Sequence, residues 1–239
     1  MYLYYLFIND DDWTDREEKL LPFVSEKRRR KILSYRFSKD KKLSLYAALL
    51  LPAACSEQYG LLLEKNNILW PEKGKPVLLT HPEVHFSISH SGNCAAVAVS
   101  DEETGLDVEQ LSRSPVKHSE RFFSSRENEA IQKSAHPDLE FFRIWTRKEA
   151  YGKYLGTGLS DHVLKTNMLD PKHDRQITER ILTPAGSVSR EELTDLSLPL
   201  TDGSIPASAL YCSIYGRGQQ LKETLISPSE LTEFFSQLF

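Results

Sequence analysis

Residues 84–100, VHFSISHSGNCAAVAVS, constrain the fold more than any other stretch of this chain. Phe86 and Ile88 alternate with Ser87 and Ser89, the period of two expected of a strand that turns one face toward a core. After His90–Asn93 the apolar pattern resumes and runs to Ser100, so the chain doubles back as a hairpin. Residues 101–104 are polar, and GLDVEQL, 105–111, returns to strand character. The other face of the first strand carries small hydroxyls and ends in a histidine, which a purely structural hairpin does not require.

Helical and strand segments surround this core. Residues 2–8 read as a buried first strand: the opening MYLYYLFIND has no basic n-region, meets polar and acidic groups almost at once, and is too short to cross a bilayer. Helices are expected over 14–34 and 39–60, the second rich in Leu and Ala and stopped by Gly60. PEKGKP, 71–76, is a loop. Further helices are expected at about 125–134 and 138–155, strands at 177–182 and 209–215, and an amphipathic helix near 228–237. The stretch 183–206 reads as loop. Both halves run helices first and a pair of strands last, which predicts an α+β chain of two similar units, 1–103 and 104–239.

The chain has 239 residues, enough to bury a core as one large domain or two small ones. Cys55, Cys94 and Cys212 are scattered with no CxxC pair, which points to reduced thiols in the cytoplasm and away from a disulfide or zinc framework. Net charge is −4 but unevenly spread. Residues 27–42, KRRRKILSYRFSKDKK, hold nine basic residues and one acid, a local +8, so the remainder sums to −12. Such a block faces solvent or an anion: it is a solvated helix surface, or a seat for phosphate or an acidic protein.

Several groups carry chemistry. Asp107 and Glu109 stand two apart on a strand, so they project the same way, about 6.6 Å apart, while Leu106 and Val108 face the core. Two such carboxylates are comfortable in water or around a hard cation such as Mg²⁺. In WTRKEAYGK, 145–153, Glu149 and Lys153 share a helix face with Trp145. Alone this is a surface ion pair over an aromatic anchor; with the strand pair it supplies a third carboxylate, with Lys148 and Lys153 as phosphate partners. Ser124 and Glu127 form a capping-box pattern, and Glu127 is also a candidate metal neighbour or proton acceptor. His90 is either a turn residue or a donor to phosphate.

GLDVE, followed about forty residues later by WTRKEAYGK and preceded by GKP and SISHS, resembles the 4′-phosphopantetheinyl transferases of the larger, surfactin-synthetase-activating type. The match runs over residues 74–153 and more loosely to both ends. It implies two similar α+β halves in pseudo-twofold relation, with coenzyme A held in the cleft between them. It also implies transfer of the phosphopantetheine arm to a serine of an apo acyl or peptidyl carrier protein, with release of adenosine 3′,5′-bisphosphate. Carriers of fatty-acid, polyketide and nonribosomal-peptide synthesis are the implied partners.

By position the resemblance assigns Asp107, Glu109 and Glu149 to Mg²⁺, with Mn²⁺ as the alternative ion. Lys75, Ser89 and His90 fall to the adenosine and phosphate portion of the coenzyme, and Lys148 and Lys153 to the diphosphate. Glu127 or Glu149 would take the serine proton, and Lys153 would stabilise the leaving oxygen. The hydroxyl face and His90 then become donors lining an anion site. Two departures from the family pattern stand out. Lys42-Leu43-Ser44 replaces a basic residue directly before Ser or Thr, which leaves the 3′-phosphate to Lys42, Lys41 or a residue of 27–31; and Ser87 stands where Asn is common.

The basic block would steer an acidic carrier. A monomer suffices, with neither membrane nor nucleic acid as partner. The competing readings are a serine hydrolase, opposed by the lack of a G-x-S-x-G elbow, and a non-catalytic carrier-protein-binding or nucleic-acid-binding protein using residues 27–42.

Overall fold

The computed structural model describes residues 1–72, 74–111, 116–189, 209–217 and 220–237. The chain divides into two compact units, Met1–Thr104 with Gln220–Phe239, and Gly105–Gln219. Each is a four-stranded sheet with one long helix packed on it, an α+β arrangement in both cases.

In the first unit, β1 (Tyr2–Phe7), β4 (His85–Ser91), β5 (Cys94–Ser100) and β10 (Lys222–Leu225) form the sheet in the order β10-β1-β5-β4. The hairpin β4–β5 pairs Phe86 with Val99 and Ser89 with Ala96, turning through Gly92 at φ 59°. β10 pairs with β1 in parallel, Tyr2 opposite Lys222. It carries with it α8 (Pro228–Gln237), whose Leu231 and Phe235 enter the core. The last twenty residues therefore belong to the first unit, although their position in the chain suggested the second. The pairing partner of β10 lies at the opposite end of the chain, which no local pattern reveals.

The helix of this unit is α3 (Ser38–Tyr59), buried continuously from Lys42 to Cys55. A helix apolar all round belongs inside a fold. Gly60 closes it in the left-handed conformation, φ 66°. The single helix expected over 14–34 is two: α1 (Asp15–Leu20) and α2 (Glu26–Leu33), separated by a 3₁₀ turn over Leu21–Phe23. Pro22 lacks the N–H a continuous helix needs, and Ser25 restarts the backbone by accepting from Arg28 N. A short ribbon, β2 (Ile68–Leu69) with β3 (Val77–Leu78), carries the PEKGKP loop, within which residue 73 lies outside the described residues.

The second unit has β6 (Gly105–Gln110), β7 (Ile177–Thr183), β8 (Gly186–Ser189) and β9 (Leu210–Tyr215) in the order β6-β9-β7-β8, all antiparallel. β8 occupies the start of the expected loop, and 190–208 lies outside the described residues. Among the described residues four helices precede β7: α4 (Ser125–Lys133), opened by the Ser124–Glu127 capping box, α5 (Pro137–Leu155), closed by Gly156 at φ 70°, and the short α6 (Asp161–Lys165) and α7 (Pro171–Asp174). Phe123, Phe141, Phe142, Ile144 and Tyr211 pack together in one core cluster of this unit. Among the described residues no helix is long and apolar enough to cross a membrane.

Candidate active site

Asp107 and Glu109 on β6 face Glu149 on α5 where the two elements cross, and Gly105 permits the crossing. A Cβ on Gly105 would stand 2.0 Å from the Ala150 carbonyl oxygen and 2.4 Å from the Tyr154 nitrogen. Strand residues alternate faces, so Asp107 and Glu109 follow Gly105 onto the side that α5 covers. Helix residues 145, 149 and 153 repeat every four along one stripe. Lys153 Nζ donates to Asp107 Oδ1 at 2.7 Å, and Trp145 Nε1 reaches Glu109 Oε1 at 3.4 Å. Asp107 is buried, while Glu109, Glu149 and Lys153 are half-buried. Leu106 and Val108 are buried as well, so both faces of β6 are covered rather than one being wet.

Glu149 records the crowding of charge. Burial first, then the Asp107 and Glu109 carboxylates, push its carboxyl up to about 7, against the opposing pull of Lys153. The stability consequence has a definite sign. An acid whose folded value lies above its ordinary 4.5 stabilises the fold below that ordinary value, and the contribution is lost as pH rises through about 7. The metal-free protein is expected to lose roughly 1–2 kcal/mol between pH 5 and pH 8 from this group, after discounting for its partial exposure. Chemical denaturation in chelator at the two pH values checks this, and Glu149→Gln should flatten that part of the slope.

Lys148 and Glu127 occupy a different place from the one expected. Both are fully buried, and Lys148 Nζ lies 3.0 Å from Glu127 Oε2. The ammonium also donates to the Leu164 and Thr166 carbonyls at 2.9 and 2.6 Å. The carboxylate accepts from Ser124 N at 2.7 Å and Met168 N at 2.8 Å. This pair ties α5 to α4 and to the segment 163–168. It is an internal brace, so neither Lys148 as a diphosphate ligand nor Glu127 as the serine's base agrees with the geometry. Its neighbour Arg147 is likewise buried, forked onto Glu179 at 2.9 and 2.7 Å and onto Asp174 at 2.8 Å.

In the first unit, Ser87 and Ser89 are buried on β4, and His90 and Ser91 are partly exposed at its end. Lys75 donates to the Glu103 carboxylate and, at 2.6 Å, to the Thr104 carbonyl; burial is the main cause of its lowered pKa. Lys42 does not point to solvent. Buried in α3, it pairs with Asp10 Oδ1 at 2.5 Å and approaches Glu17 at 3.8 Å. Its ammonium is thus neutralised inside the unit, which argues against Lys42 as the phosphate clamp.

A group from the basic run stands better placed. Arg28 Nη2 donates to the Ser44 carbonyl at 2.9 Å while its guanidinium lies over Trp70 at 4.5 Å. Among the described residues Arg28 Nε and Ser44 Oγ are buried polar atoms with no hydrogen-bond partner. The sequence singled out the run 27–31 without resolving which cation turns inward. Ile32, four residues after Arg28 and fully buried, is the signal that would have done so.

Among the described residues no three His, Cys, Asp or Glu side chains converge as a ready metal cage. The donor chemistry still fits a hard cation. Asp107, Glu109 and Glu149 are hard oxygen donors at one crossing, and burial first, then the Asp107 and Glu109 carboxylates, raises the Glu149 pKa.

Comparison with known proteins identifies the family. Residues 11–102 match the family "4′-phosphopantetheinyl transferase, N-terminal", and residues 103–200 match the "4′-phosphopantetheinyl transferase superfamily". The chain is 33% identical over 155 residues to the 4′-phosphopantetheinyl transferase psf-1 of Bacillus pumilus, covering 64% of this chain and 66% of that protein. It is 30% identical over 163 residues to a 4′-phosphopantetheinyl transferase of Bacillus subtilis, covering 67% and 72%. Against Sfp of Bacillus subtilis strain 168 the identity is 29% over 164 residues, again covering 67% and 72%. Two matched halves that together run through both units, and relatives of one kind along most of the chain, identify it: the chain belongs to the 4′-phosphopantetheinyl transferase superfamily, as an enzyme of the Sfp type.

Proposed function

We propose that this enzyme moves the 4′-phosphopantetheine arm of coenzyme A onto a serine hydroxyl of an apo acyl or peptidyl carrier protein, with Mg²⁺ as the supporting ion. The observation that carries the reading is the crossing of α5 over β6, where burial first, and then the Asp107 and Glu109 carboxylates, raise the Glu149 carboxyl pKa while Lys153 bonds Asp107. Asp107, Glu109 and Glu149 are the residues that would hold the ion. When bound, it would supply positive charge against the diphosphate oxygens.

The chain's own groups then have distinct tasks. The serine oxygen forms the new bond to the phosphorus next to pantetheine, and the bond from that phosphorus to the bridging oxygen breaks. Adenosine 3′,5′-bisphosphate leaves with that oxygen. Glu149 is the candidate to take the serine proton, directly or through a water. Lys153 offsets the charge on the departing oxygen. Lys75, Ser89 and His90 are assigned to the adenosine and phosphate portion. The orphaned polar atoms of Arg28 and Ser44 support a seat for the 3′-phosphate in place of Lys42.

Asp107→Ala is expected to lower the transfer rate at least 100-fold, on the order of losing one electrostatic partner of a phosphoryl transition state. The assay is the mass gain of an apo carrier with coenzyme A and Mg²⁺. Wild-type turnover by the variant at saturating Mg²⁺ would refute the metal assignment.

A further inference from the structure

We propose that the exposed corner between α2 and α3, built from Arg29, Leu33, Arg36 and Phe37, docks an acidic, partly apolar helix of the protein substrate; this rests on the carrier-protein reading above. The clue is Phe37. It is the N-cap of α3, a helix of 22 residues, yet it makes no side-chain cap hydrogen bond. Ser, Thr, Asn or Asp at this position would satisfy an orphan backbone N–H. Phe37 is also 60% exposed, so it leaves apolar surface in water. The residue breaks a local rule and gains no burial in return, which is the signature of a position kept for contact with something else.

The surroundings name the partner. Leu33, on the outward face of α2, is 42% exposed and lies one helical turn from the exposed Arg29. Arg36 holds its guanidinium 5.3 Å from the Phe37 ring, and Lys31 holds its ammonium 5.1 Å from the ring of Tyr35. Lys27 and Arg30 are exposed on the same helix. Two apolar anchors ringed by cations fit a helix that presents apolar side chains between carboxylates. A nucleic-acid backbone would use the cations alone, and the −12 carried by the rest of the chain would repel it.

The test compares wild type, Phe37→Ser and the double variant Arg29→Glu/Arg36→Glu, using an apo carrier that the wild type modifies. Phe37→Ser installs a cap and removes exposed apolar surface, so its thermal midpoint is expected to rise by about 2–4 °C. Its KM for the carrier is expected to rise about tenfold, with kcat and the KM for coenzyme A unchanged. The charge reversal should raise the carrier KM at low salt and abolish its dependence on ionic strength.

An unchanged carrier KM in both variants overturns the surface while leaving the reaction standing. A coenzyme KM that rises with the carrier KM would move Phe37 into the coenzyme seat and also overturn it. Loss of binding to a labelled oligonucleotide in these variants, with carrier kinetics unmoved, would hand the corner to nucleic acid. Absence of transfer by the wild type to every apo carrier tried would sink the reaction itself and this surface with it.

Discussion

Gly105→Ala is expected to abolish transfer and to destabilise the second unit by more than about 3 kcal/mol, at or beyond the upper end of overpacking costs. The added methyl would lie 2.0 Å from the Ala150 oxygen, 2.4 Å from the Tyr154 nitrogen and 3.0 Å from the Ala150 carbonyl carbon. All three are backbone atoms, so no side-chain rotation relieves the clash. Relief requires α5 to lift from β6, and α5 carries Glu149 and Lys153 away from Asp107 and Glu109. Fold and site therefore fail together. Circular dichroism with the carrier mass-gain assay checks this, and a variant with wild-type midpoint and turnover would disprove the role of the crossing.

Breaking the buried brace is the second large effect. Lys148→Ala leaves the Glu127 carboxylate wholly buried beside a void, and losing one partner of such a pair costs about 3–5 kcal/mol. The double variant Lys148→Met/Glu127→Gln removes both charges at nearly constant volume, but Gln keeps only one oxygen, so one of the Ser124 and Met168 amides, which bond different oxygens of Glu127, loses its acceptor. It is expected to recover part of the lost stability and to transfer within several-fold of wild type. The same comparison separates the brace from the roles first expected of these residues. If Glu127 were the base or Lys148 a diphosphate ligand, the double variant would be stable and inactive. Unfolding curves and turnover measured on the same preparations decide it.

Local physics made much of this molecule legible. The hairpin announced itself by alternation and Gly92, α3 by its apolar composition and Gly60, α4 by the Ser124–Glu127 capping box, and α5 by its periodicity. Errors arose where a partner was distant or a segment too short. The two-residue strands Ile68–Leu69 and Val77–Leu78 are shorter than any period can register. β10 is a strand because Met1 and Tyr5 offer their carbonyls to Lys222 and Ile226. The break at Pro22 was readable and would have divided the 14–34 helix correctly.

The candidate site divides along the same line. GLDVE and WTRKEAYGK determined, as sequence, which acids and lysines were available and that 145, 149 and 153 share one stripe. Lys148 and Lys153 are chemically identical in the sequence, as are Glu127 and Glu149. Only packing separated them. One turn of helix orients Lys148 into a shell of carbonyls with Glu127, and another leaves Lys153 half-buried against Asp107. Periodicity assigns a residue to a face, but which face is closed depends on the element laid against it, and at β6 that was decided by the missing side chain of Gly105.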